Sequence, residues 1–169
     1  GIVIPNPNAP TGILEDIRMF EEIVAANPDS VVIIDEAYVD FGGKSALPLL
    51  EKYENLLVVQ TFSKSRALAG LRVGYAIGNK KLIDYLKDVK FSFNSYTMNM
   101  PAIEMGAAAV LDDAYFKETV GKIVKTREWT KEQLKKLGFS FADSKSNFLF
   151  VTHEKVPAGE IFAALKENG

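Results

Sequence analysis

The sequence predicts an α/β fold: a mostly parallel sheet with helices packed on both faces, followed by a smaller α+β unit. Three observations carry that expectation. Short aliphatic runs at Ile2 to Ile4, Val31 to Ile34 and Leu56 to Val59 each end in polar residues, as strands of a buried parallel sheet do. Strand-like and helix-like segments alternate up to about Ile77, which is the pattern of a parallel sheet with crossover helices. Beyond residue 114 one long helical pattern precedes two strand-like segments and a last helix, which predicts a separate unit and puts the boundary between residues 1–114 and 115–169.

The opening run Gly1 to Ile4 reads as a strand that is stopped by Pro5-Asn6-Pro7-Asn8-Ala9-Pro10, because proline has no amide proton for a ladder or a helix. From Leu14 the apolar positions Ile17, Phe20, Ile23 and Val24 keep helical spacing, with Glu15 and Asp16 expected in the first turn near the positive end of the helix dipole. Val31 to Ile34 is continuously β-branched, which predicts a strand covered on both faces. Leu56 to Val59 repeats the pattern, and Arg72 to Gly78 is a further strand. Helices are expected at Lys81 to Val89, Pro101 to Leu111 and Ala114 to Leu137, the last ended by Gly138. Arg127 and Thr130 interrupt its apolar stripe, so that face should be half-buried. Phe139 to Ala142 and Asn147 to Thr152 read as strands, and Pro157 to Glu167 as a helix with proline in its first turn.

Composition excludes several classes of function. Twenty Lys and Arg against 22 Asp and Glu leave no field to draw the chain to a nucleic acid or an anionic lipid surface. With no cysteine, disulfide scaffolds, thiolate metal sites and cysteine nucleophiles are ruled out, and a reducing, cytoplasmic setting is expected. No apolar run approaches the roughly 20 residues that span a bilayer. The chain starts within a strand, without methionine, and stops directly after a helix, so it reads as a piece of something longer.

Ligands of open α/β sheets sit outside the carboxyl ends of the strands. Those ends here carry Asn6 and Asn8, then Asp35-Glu36-Ala37-Tyr38, then Thr61, Ser63 and Lys64. An aliphatic strand ending in Asp-Glu also fits the magnesium-holding strand of a P-loop ATPase, but that reading needs a Gly-x-x-x-x-Gly-Lys-Ser/Thr loop, and none is present in the 169 residues. Lys64 favours other chemistry. Its amine can form an imine with an aldehyde, the hydroxyls of Thr61 and Ser63 and the guanidinium of Arg72 suit a phosphate, and an ionised Asp35 suits a protonated pyridine nitrogen. Together these are the needs of pyridoxal 5'-phosphate.

Along its whole length the sequence resembles the fold type I pyridoxal phosphate aminotransferases, and within them the histidinol-phosphate aminotransferase group. The motifs are Pro7-Asn8-Ala9-Pro10-Thr11-Gly12, Asp35-Glu36-Ala37-Tyr38, Ser63-Lys64 and Ala69-Gly70-Leu71-Arg72-Val73-Gly74. The resemblance implies that residues 1–114 are part of a large three-layer α/β/α cofactor-binding domain and 115–169 part of a small α+β domain. It implies Lys64 as the Schiff-base lysine, Asp35 as partner of the pyridine nitrogen and Tyr38 as partner of the ring hydroxyl. Ser63 and Arg72 would hold the phosphate, with Thr61 an extra donor. In the family the residue before Pro-Thr-Gly is usually an asparagine that reaches the ring hydroxyl; here it is Ala9, and Asn8 stands one position earlier in its stead. Further implications are a homodimer with a shared site, a glycine-rich phosphate loop upstream of Gly1 and a substrate-binding arginine downstream of Gly169.

For the reaction, the resemblance implies amino transfer from histidinol phosphate to 2-oxoglutarate. Aromatic amino acids as donors, a related pyridoxal phosphate decarboxylase and a non-catalytic module are the alternatives. No metal is expected. Asn147 matches a position near the substrate end of the small domain, Tyr75 and Tyr96 either face the site or pack, Trp129 reads as packing, and His153 reads as a surface residue.

Overall fold

The computed structural model describes all 169 residues. Strands β1 (Ile2–Pro5), β2 (Val32–Asp35), β3 (Leu56–Thr61) and β4 (Gly74–Gly78) form one sheet in that spatial order, and helix α1 (Ile17–Ala26) crosses over between the first two. β1, β2 and β3 are parallel, with Pro5, Asp35 and Val59 level with one another at the carboxyl edge. β4 runs antiparallel to β3, pairing Thr61 with Gly74. The connection 62–73 therefore leaves and re-enters the sheet at the same edge, which brings Lys64 and Arg72 to it.

One face of the sheet is a closed core. Phe20 and Val24 of α1 pack on Val32, Ile34, Leu56 and Val58, all buried, with Ala46 and Leu49 from the turns after β2 completing the layer. Full burial of such side chains contributes about 1.5–3 kcal/mol each. The opposite face carries Val3, Ile33 and Leu57, and only its β3 side is covered: Leu57 is buried while Val3 is 66% exposed. The expectation that Val31 to Ile34 is covered on both faces holds for one face only within these residues.

Helix α1 starts at Ile17, three residues later than its spacing suggests, because Asp16 is the N-cap and accepts from the amide of Arg18 at 2.9 Å. Asn6 closes the preceding loop: its buried side chain accepts from the amide of Glu15 at 2.9 Å and donates to the Glu15 carbonyl at 3.3 Å. Gly12, at φ +74°, sits so close to Ser144 that a Cβ there would lie 2.2 Å from its Oγ.

Helices α2 (Lys80–Phe93), α3 (Met100–Leu111) and α4 (Asp113–Lys136) follow, then a two-stranded antiparallel sheet of β5 (Phe139–Phe141) and β6 (Val151–His153), and α5 (Ala158–Glu167), for which Pro157 is the cap rather than a first-turn residue. No helix is long and apolar enough to cross a membrane. Residues 147–150 do not join β6. The hydroxyls of Ser144 and Ser146 bind the carbonyl of Phe148, at 2.6 and 3.2 Å, and hold this stretch in a compact turn.

Of the polar interruptions of α4, Arg127 is buried and Thr130 half-buried, and the neighbouring Lys131 is buried as well. Arg127 Nη1 donates to the carbonyls of Phe41 and Ser146, both at 2.8 Å, and Lys131 Nζ donates to Asp143 at 2.6 Å and to the Ser144 carbonyl at 3.0 Å. This face of α4 meets backbone carbonyls rather than apolar surface, so it carries cationic donors where an apolar stripe was expected. Trp129 is 60% exposed and does not pack. His153 is half-buried: Nδ1 accepts from the amides of Lys155 and Val156, which leaves Nε2 to donate to the Leu137 carbonyl at 3.2 Å.

Candidate active site at the carboxyl edge of the sheet

Alternation along β2 sends Asp35 to the face of Ile33 and Glu36 to the face of Ile34. The Asp35 carboxylate accepts from the amide of Ala37 at 3.0 Å, which turns the chain and delivers Tyr38 to the edge. On the neighbouring strand end, Thr61 Oγ1 accepts from the amide of Ser63 at 3.0 Å and donates to the Val73 carbonyl at 3.3 Å, tying the start of the Lys64 turn to its return. Lys64 is exposed, with Nζ 5.5 Å from the centre of the Tyr38 ring. A cation over an aromatic face is an attractive arrangement.

The same connection carries two residues in the left-handed region, Ala67 at φ 54° and Arg72 at φ 56°. Neither is glycine, so each stores about 1–2 kcal/mol of backbone strain. The Arg72 guanidinium is exposed and donates to the Ala69 carbonyl at 3.0 Å. Ser65 donates to Asp40, and Arg66 donates to the Ala109 carbonyl with its guanidinium 4.2 Å from the centre of the Phe116 ring, so the turn is anchored directly after Lys64.

The edge thus brings together Asp35, Tyr38, Thr61, Ser63, Lys64 and Arg72. The amine of Lys64 and the hydroxyls of Tyr38 and Ser63 make no hydrogen bond within the chain, whereas most polar groups nearby do. Asn8 lies on the adjacent loop, where one amide proton binds Thr11 Oγ1 at 2.7 Å and the backbone amide binds the Ile13 carbonyl at 2.8 Å. A cleft of about 270 Å³ opens beside Lys64, with Tyr115 and Phe116 of α4 on its far wall. A larger hollow of about 440 Å³, between α4 and residues 147–151, includes Asn147 but none of the strand-end residues. Tyr96 is almost fully exposed and away from both.

A set with a carboxylate, a phenol, hydroxyls, an amine and a guanidinium along one edge fits pyridoxal phosphate. An amine can take its aldehyde, a carboxylate suits its ring nitrogen, and a hydroxyl with a guanidinium suits its phosphate.

Behind the edge lies a network that the sequence did not single out. Glu36 is 3% exposed, and its carboxylate accepts from the Ser45 hydroxyl at 2.7 Å, the Ala46 amide at 2.5 Å and Gln60 Nε2 at 2.7 Å. Gln60 Oε1 in turn accepts from Tyr75, whose phenol burial pushes above its ordinary pKa, helped by Asp40. Tyr75 therefore stays a donor, and it packs edge-on against Phe62 rather than facing Lys64. Parity with Val32 and Ile34 was the signal that Glu36 points into the core.

The whole chain, residues 1–169, matches the family described as Aminotransferase class I and II. The histidinol-phosphate aminotransferase of Brachyspira hyodysenteriae is 56% identical over 170 residues, covering all of this chain and 48% of that protein. A solved histidinol-phosphate aminotransferase from Clostridium acetobutylicum superposes with a TM-score of 0.85 at 29% identity, over 98% of this chain and 51% of that one. The enzyme of that name from Sinorhizobium meliloti, solved in complex with pyridoxal-5'-phosphate, gives a TM-score of 0.78 at 28% identity, over 90% and 42%. The chain spans about half the length of the curated relatives it matches. With its entire length matched and its strand-end motifs gathered at one edge, the chain belongs to the class I and II aminotransferase family.

Proposed function

We propose that this chain carries the cofactor-binding core of a pyridoxal-phosphate-dependent aminotransferase that takes the amino group of histidinol phosphate and passes it to 2-oxoglutarate. The observation that carries the reading is the Lys64 amine, without a hydrogen-bond partner, held 5.5 Å above the Tyr38 ring and one strand from Asp35. The names of the relatives at 51–56% identity support histidinol phosphate as the donor. In this reading residues 1–114 belong to the large domain and 115–169 to the small one, and the working protein is a cytoplasmic homodimer.

When bound, pyridoxal phosphate supplies an electron-poor ring that takes up the electron pair left on the substrate carbon. The residues of the chain do the rest. Asp35 keeps a proton on the ring nitrogen by placing a negative charge against it. Ser63 and Arg72 bind the phosphate with a hydroxyl and a charge-assisted guanidinium, which fixes where the reacting carbon sits. Tyr38 donates to the ring hydroxyl, with the second amide proton of Asn8 and the hydroxyl of Thr61 as further donors. Lys64 Nζ, once free of the cofactor, would take the proton from the substrate carbon and give it to the cofactor carbon on the other side of the amino nitrogen, acting as both base and acid.

The test is borohydride reduction of the full-length protein loaded with pyridoxal phosphate, followed by peptide mapping, beside an assay for glutamate formed from histidinol phosphate and 2-oxoglutarate. Label on Lys64, lost in Lys64→Ala, and glutamate formation are expected. Label on another lysine refutes the site; phosphothreonine decarboxylation without glutamate formation refutes the reaction.

A further inference from the structure

Tyr38 is held from behind by a residue that no motif of the site contains. The Phe148 and Tyr38 rings meet in a T-shaped pair, with centroids 5.0 Å apart and planes at 88°. Such an edge-to-face pair has a defined geometry and resists tilting of either ring. Phe148 comes from far along the sequence, in the turn between β5 and β6, and that turn is held by several hydrogen bonds. Its carbonyl accepts from both Ser144 Oγ, at 2.6 Å, and Ser146 Oγ, at 3.2 Å, and these two hydroxyls, both fully buried, also meet each other at 2.9 Å. The Ser146 carbonyl in turn receives Arg127, whose same nitrogen holds the carbonyl of Phe41, three residues after Tyr38. Gly12 accepts the amide of Lys145 at 2.8 Å, which ties the turn to the Asn8 loop as well.

We infer that Phe148 is a positioning residue for the amino-transfer site: it sets the tilt of Tyr38, and through Tyr38 the electrostatic surroundings of the Lys64 amine. The inference rests on the reading of Lys64 and Tyr38 given above. A hollow of about 440 Å³ opens beside the Phe148 turn, so on that side the turn is held by its own hydrogen bonds. The physical consequence is specific. A phenol that donates squarely to the ring oxygen of the cofactor stabilises negative charge there, which favours loss of the proton from the lysine-bound chromophore. A Tyr38 free to tilt gives that stabilisation up, so the proton is held to higher pH.

The experiment is a spectrophotometric pH titration of the full-length holoenzyme, with cofactor content and melting temperature measured on each variant. Phe148→Leu keeps most of the bulk of the side chain and removes the ring; its chromophore midpoint is expected to rise by about half a pH unit or more with cofactor content unchanged. Phe148→Tyr keeps the ring and should keep the wild-type midpoint. Phe148→Ala should move it at least as far as leucine does; if this variant does not fold, the leucine and tyrosine pair still decides. An unchanged midpoint in Phe148→Leu, or an equal shift in Phe148→Tyr, overturns the bracing role while leaving the reading of Lys64 intact. A wild-type protein with no lysine-bound chromophore, or one that persists in Lys64→Ala, overturns the site itself and the inference with it.

Discussion

Replacing Gly12 by alanine tests the junction between the Asn8 loop and the turn after β5. Two independent costs act at this position. The backbone sits at φ +74°, where a Cβ costs about 1–2 kcal/mol. That Cβ would also stand 2.2 Å from Ser144 Oγ and 2.7 Å from Ser144 Cβ, a collision with a fully buried residue that cannot swing away, and overpacking of that kind costs about 1–3 kcal/mol. The sum is about 2–5 kcal/mol, and each kcal/mol moves the melting midpoint of a protein of 150–250 residues by roughly 2–4 °C, so a drop of about 4–20 °C is expected. Melting followed by far-ultraviolet circular dichroism reads it. The double variant Gly12→Ala with Ser144→Gly separates the two costs, because removing the serine side chain relieves the collision and leaves the strain. It should therefore be less destabilised than the sum of the single variants by about 1–3 kcal/mol. Gly12→Ala within about 0.5 kcal/mol of wild type, or strict additivity in the double variant, would show that the loop and the serine turn do not touch as described.

Arg127→Leu leaves the Phe41 and Ser146 carbonyls without a donor and should destabilise by about 2–5 kcal/mol, whereas Arg127→Lys, which can reach one of them, should lose less; thermal melting distinguishes the two. Asp35→Asn should keep cofactor content and lower turnover by about 10²-fold or more, since the amide cannot hold a proton on the ring nitrogen; magnesium-dependent ATP hydrolysis lost in this variant would instead favour a nucleotide-hydrolysing lobe. Hydrogen bonds from Lys131 and then Lys145 lower the Asp143 carboxyl from 3.8 to about 2. Its folded value is depressed, so the stabilisation is fully present above about pH 4 and disappears as pH falls towards 2; Asp143→Asn should flatten the acid limb of a stability profile over that window and leave neutral pH less stable.

Most of the sheet was legible because three of its strands are built on unbroken aliphatic runs, and the edge residues were legible because those runs end in chemically capable groups. Three of the misread features share one cause, which is polar side chains that satisfy backbone. Asp16 moved the start of α1 by capping it, the Ser144 and Ser146 hydroxyls kept residues 147–150 out of β6, and Arg127 filled a buried stripe position because its partners were carbonyls. Hydrophobic periodicity carries no information about such pairings, and for Arg127 the partner is also remote in sequence: 86 positions separate it from Phe41. The same holds for Phe148, whose contact with Tyr38 crosses from one sheet to the neighbourhood of the other. Glu36 was within reach, because alternation from Val32 and Ile34 assigns it to the core, where a carboxylate needs three donors and finds them.

The left-handed turn at Arg72 separates what this segment needs in order to fold from what selection has asked of it. For folding alone, glycine or asparagine suits position 72 better, by about 1 kcal/mol, and one hydrogen bond to Ala69 on an exposed surface offsets little of that. A library varied at this position and sorted only for foldedness would drift to glycine, while the same library sorted for turnover would return arginine. The distance between those two distributions would measure how far a ligand, rather than the polypeptide, has written this part of the chain.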